Sequence, residues 1–100
     1  GKGFAAFSAA KFGLRAVAQA MARELGPKNI HVVHLLIDAG VDSEAIHQRM
    51  KAATGISTSE IPPDSLTKTA SIAEAYWFAH QQSKDGWTHE LDLRPSVETW

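Results

Sequence analysis

At 100 residues, with 44% hydrophobic and 21% charged content, the chain has the make-up of one ordinary globular domain and no room for two. Ten basic and eleven acidic residues leave a net charge of -1 with no basic stripe, so nucleic-acid binding is not expected. The absence of cysteine excludes disulfides and thiolate chemistry and suits a cytoplasmic location.

The first predicted element is a helix from Phe4 to Leu25. Eight alanines favour it on propensity alone: Ala5, Ala6, Ala9, Ala10, Ala16, Ala18, Ala20 and Ala22. Phe7, Leu14, Val17, Met21 and Leu25 recur at helical spacing and are expected to face a core. Lys11, Arg15, Gln19 and Arg23 step by four along a polar stripe, and Phe7 stands one turn before Lys11. Gly26 and Pro27 are the stop signal, with glycine expected in a left-handed cap.

Ile30 to Ile37 reads as a strand covered on both faces, because its apolar run is nearly continuous. The most apolar part, Val32 to Ile37, contains His34 and falls far short of the roughly 20 residues a membrane span needs. Asp38-Ala39-Gly40 is a turn, and Asp42 or Ser43 can cap a second helix that runs to about Ala53 and stops at Gly55. Residues 55 to 69 read as a loop. Ser71 and Glu74 form a capping box that opens a third helix to about Ser83, with Ile72, Ala75, Tyr76 and Ala79 as its buried face. Trp87 to Arg94 alternates as a second strand and ends at Pro95. The order helix-strand-helix-helix-strand points to an α/β fold with a parallel pair and a right-handed crossover. Two strands cannot bury these helix faces, so most of a sheet is expected to be missing.

Several side chains invite a chemical reading. Asp38 stands at the C-terminal end of a strand, where open α/β sheets bind ligands, although turn chemistry explains an aspartate there equally well. His31 and His34 are three apart on a strand and point to opposite faces, and His47, His80 and His89 have no ligand-like spacing, so no metal site is expected. Trp77, Phe78, Trp87 and Trp100 fit a core or an interface better than a stacking platform.

The text Lys11-Phe12-Gly13-Leu14-Arg15, then Ala22-Arg23-Glu24-Leu25-Gly26-Pro27 and Ile30-His31-Val32, with the ending Leu91-Asp92-Leu93-Arg94-Pro95, resembles the C-terminal half of the short-chain dehydrogenase/reductase family. The resemblance implies the C-terminal part of a Rossmann-like, doubly wound parallel sheet that is incomplete on its own. Residues 1–100 would then be a single partial domain.

That family places a Tyr-x-x-x-Lys pair on this helix. The tyrosine acts as acid or base on the substrate oxygen, and the lysine holds the nicotinamide ribose. By position Lys11 matches the lysine, and Phe7 occupies the tyrosine position. The family's Pro-Gly after the next strand falls near Ile37-Asp38 or Ala39-Gly40, and Ser43 lies near the threonine that meets the carboxamide. The resemblance therefore implies cofactor contacts at Lys11, Asp38, Ala39, Gly40 and Ser43. It places the glycine-rich loop and the active-site serine before Gly1.

Phenylalanine has no ionisable hydroxyl, and positioned acid-base catalysis is worth about 10²–10⁴-fold. Ser8 is about 100° round the helix from Phe7. Tyr76 lies on another predicted helix and has no lysine four residues on. The expectation is a piece of an NAD(P)-dependent oxidoreductase that transfers hydride to or from a carbonyl or alcohol, inactive alone and binding no NAD or NADP by itself. The alternative is a non-catalytic relative that acts in binding or assembly. The apolar faces left open predict a homo-oligomer formed through helix 4–25.

Overall fold

The computed structural model describes residues 3–97. Helix α1 spans Phe4–Leu25, as the alanine content and apolar spacing predict. Its stop differs from the expected one. Gly26 keeps right-handed helical angles and opens a 3₁₀ turn, Gly26–Lys28, and the left-handed residue is Asn29 at φ 67°. Pro27 is tolerated at the start of such a turn because no N–H is needed there, and asparagine is among the few non-glycine residues that enter the left-handed region readily.

Strand β1 is His34–Ile37 and strand β2 is the two-residue Gly40–Val41. Helix α2 is Glu44–Thr54. Of the two candidate caps it uses Ser43, whose Oγ accepts from the Ile46 N–H at 3.4 Å, and it closes on Gly55 at φ 74°. Strand β3 is Leu66–Thr67, helix α3 is Thr69–His80 and strand β4 is Glu90–Leu93. Helix α3 starts two residues before Ser71, so Ser71 and Glu74 both lie within the helix and do not cap it as expected.

The result is a mixed α/β arrangement with two small sheets, β1 with β4 and β2 with β3. Ladder bonds His34 N–H to His89 O (2.7 Å) and Asp38 N–H to Leu93 O (3.0 Å) advance together along both strands, the parallel sense. Strands β2 and β3 are also parallel, with Gly40 beside Leu66 and Val41 beside Thr67. This second pair was not expected, because two residues carry no alternation for a sequence reading to detect.

The chain divides into two compact units, one of residues 1–35 and 79–91, the other of 36–78 and 92–100. In the first, Ala18 on α1 and Ala79 at the end of α3 are buried. Half-buried neighbours of Ala18 are Arg15, Gln19, Ala22 and Leu25. The expected core stripe is therefore corrected. Phe7, Leu14, Val17 and Met21 are exposed, and only Leu25 of that set is partly covered. Ala18 and Ala22 stand on the covered side of the helix, and Val17, about 100° round from Ala18, faces outward. Tyr76, expected in the buried face of α3, is likewise exposed at 55%, while Ile72 and Ala75 are half-buried.

Two glycines should respond oppositely to the same replacement. Gly13 lies inside α1 with open space where a Cβ would stand, whereas Gly55 needs its positive φ. Gly13→Ala is expected to stabilise by about 1 kcal/mol and Gly55→Ala to destabilise by about the same amount. Urea unfolding of the two variants beside the parent chain measures both.

Candidate functional site

The residues singled out from the sequence fall into two groups, one in each unit. On α1, helical spacing brings Phe7 and Lys11 together. The Lys11 ammonium stands 5.6 Å from the centroid of the Phe7 ring, a cation–π arrangement. Phe4 meets Phe7 edge-on, with centroids 6.3 Å apart and planes at 86°. Both members of the Phe7–Lys11 pair are exposed. One turn on, Arg15 Nε donates to Glu90 Oε2 at 3.0 Å, so the same polar stripe ties α1 to β4. Glu90 Oε2 also lies 3.9 Å from His34 Nδ1.

In the second unit the four other candidates follow one another from the end of β1 to the start of α2. Asp38 is exposed, and its carboxylate pairs with Arg94 at 3.0 Å. Arg94 also reaches Asp92. Ala39 is half-buried. Gly40 packs so close to β3 that an added Cβ would meet Leu66 Cδ2 at 2.8 Å, so its smallness answers to the sheet. Ser43 spends its hydroxyl on the α2 cap. Of the five positions, Lys11 alone presents a charged group that makes no ion pair among the described residues.

A third cluster was not visible from spacing. His47 Nε2 lies 2.6 Å from Asp42 Oδ1, and His47 Nδ1 lies 3.4 Å from Thr58 Oγ1. Asp42 and His47 belong to the cap region and second turn of α2, while Thr58 arrives from a 3₁₀ turn beyond Gly55. The signal available in the sequence was the Asp42/His47 separation of five, which a helix start can bring together. Among the described residues no three histidine or acidic side chains converge as metal ligands, and no helix is long and apolar enough to cross a membrane.

No protein-family model matches the chain, and no curated protein matches it. A solved structure does. The crystal structure of a short-chain dehydrogenase from Rhodopseudomonas palustris is 48% identical to it, with a TM-score of 0.61 over 95% of this chain. The chain matches part of a short-chain dehydrogenase. It spans 32% of the length of that dehydrogenase. The resemblance read in the α1 text and in the ending at Pro95 is thereby borne out, as is the α/β class with parallel strands.

In such a chain the Phe7 position should accept the hydroxyl that a dehydrogenase uses. Phe7→Tyr is expected to leave stability within about 0.5 kcal/mol of the parent, because the ring is 58% exposed and the added oxygen meets water. Thermal unfolding of the two proteins checks it.

Proposed function

We propose that this chain is the segment of an NAD(P)-dependent oxidoreductase that carries the lysine of the nicotinamide side, and that these 100 residues do not turn over substrate by themselves. The observation that carries the reading is the 48% identity to a short-chain dehydrogenase over nearly the whole chain, together with an exposed Lys11 that makes no ion pair among the described residues.

The residues fit such a cofactor in part. The Lys11 ammonium, a triple donor, suits ribose hydroxyls. Asp38 and Ser43 have their polar atoms engaged by Arg94 and by the α2 cap, so the expected contacts there fall to backbone groups. A bound nicotinamide would supply or accept the hydride. The chain's own contribution is to orient that ring through Lys11 and to leave proton transfer to a group other than Phe7, whose ring has no exchangeable proton. The reaction class is hydride transfer to or from a carbonyl or alcohol of a small molecule, in the cytoplasm.

Phe7 itself favours a second reading, a relative of the same fold that binds or assembles without turnover. The exposed apolar side chains of α1, Phe4, Phe7, Phe12, Leu14, Val17 and Met21, add to it a self-association surface along helix 4–25.

Three measurements separate these. Titration of the 100-residue chain with NADH and NADPH should show no micromolar binding; saturation in that range would defeat the claim that it does not act alone. In the longest natural form of the protein, NAD(P)H-dependent carbonyl reduction that falls at least about tenfold in Lys11→Ala supports the oxidoreductase. No reduction by the parent, with turnover appearing in Phe7→Tyr, selects the non-catalytic relative. Sedimentation should show association that Val17→Glu on α1 weakens, and a folded monomer at high concentration would remove the self-association surface.

A further inference from the structure

We propose that Asp42, His47 and Thr58 form an acyl-acceptor site for small uncharged carboxylic esters. The proposal does not rest on the oxidoreductase reading. All three residues and the cavity they line lie in the second unit.

Ionised Asp42 can only accept, so the 2.6 Å contact requires the proton on His47 Nε2. In the neutral imidazole the lone pair of Nδ1 then faces Thr58 Oγ1 at 3.4 Å, and the hydroxyl is the donor across that gap. A carboxylate that orients an imidazole whose other nitrogen meets a hydroxyl is the arrangement that activates an alcohol as a nucleophile. A distance of 3.4 Å is loose, as such contacts often are before substrate arrives.

The backbone around the three is braced. The Asp42 N–H donates to Thr67 O at 2.8 Å, which ties it to β3. Thr58 opens a 3₁₀ turn whose preceding residue, Ser57, caps the Ser59 N–H. Gly55 closes α2 and turns the chain back toward His47.

The cavity holds about 350 Å³, within the range of small-molecule sites. Ile61, Pro62, Pro63 and Leu66 supply an apolar wall for an alkyl or aryl group. Its charged lining is Asp42, Asp64 and Lys68. Two carboxylates against one ammonium disfavour anionic ligands and suit a neutral ester. Lys68 makes no ion pair among the described residues and is the group available to meet a developing oxyanion.

The steps balance without a further reagent. Thr58 Oγ1 bonds to the ester carbonyl carbon while its proton passes to His47 Nδ1, and the carbonyl π pair moves onto oxygen. That pair then reforms the C=O, the ester C–O bond breaks, and the departing alcohol takes the proton from Nδ1. Water, deprotonated by the same nitrogen, attacks the acyl-threonine and releases the carboxylic acid, returning the proton to Thr58. Thr58 and His47 are the catalytic residues, and Asp42 is a positioning residue.

The test is hydrolysis of p-nitrophenyl acetate by the full chain, with peptide mass spectrometry after acid quench. The expected result is protein-dependent p-nitrophenol release and an acetyl group on Thr58. Thr58→Val should remove the adduct and lower the protein-dependent rate at least about tenfold, His47→Gln should lower it by about 10²-fold or more, and Thr58→Ser should retain it. Asp42→Asn should lower the rate and change its pH profile, which a bracing role alone would not do. Acetyl groups confined to lysines, a rate unchanged in Thr58→Val, or no release above buffer each overturns the proposal. Circular dichroism of every variant separates loss of activity from loss of fold, and Thr58→Ser keeps the test decisive if Thr58→Val unfolds.

Discussion

Everything in this structure leans on the pairing of β1 with β4. Each compact unit is stitched from two separated stretches of chain, and in each a bond of this ladder closes the gap. In the first it is His34 to His89, and in the second Asp38 to Leu93. Other contacts gather near these bonds. In the first unit His31 stacks on Trp87 with centroids 4.6 Å apart and bonds the Thr88 carbonyl, His89 reaches Val32 O, and Arg15 meets Glu90. In the second, Asp38 and Arg94 pair one residue beyond the strand ends. Side chains reinforce a pairing that the backbone requires in any case, since buried N–H and C=O groups must find partners.

Strand β4 of that pairing also anchors α1. Short-chain dehydrogenase likeness attaches to the helix that Arg15 fastens to β4, where the Lys11 ammonium stands over the Phe7 ring. The aromatic face of Phe7 meets the neighbouring ammonium, so the side chain of Lys11 has a contact on its own helix although it is exposed.

Much of the fold was legible where one local rule decides. Alanine content and apolar spacing made α1 legible as one long helix. Ser43 and Gly55 bracketed α2, since capping and left-handed closure depend on neighbouring residues alone. Failures fell where several local solutions compete or contacts are distant. Gly26 and Asn29 can each end a helix, and the short 3₁₀ turn passed the role to Asn29. The apolar stripe of α1 was correctly traced but assigned to the wrong side, because periodicity shows that a face exists and not which face the rest of the chain covers. At the candidate site, Phe7 and Lys11 were readable from a separation of four. Thr58 was not, since it meets His47 only after a helix cap and a loop have turned the chain back.

The interleaving of the two units has a kinetic meaning. Neither can be completed by a continuous run of residues, so α1 and α2 can form early while their units remain open. The ladder bonds join residues separated by about fifty positions, and closing so long a loop costs entropy before any contact returns it. Folding of these residues should therefore be limited by the arrival of β4, with the alanine-rich helix waiting, already wound, for a strand that comes last.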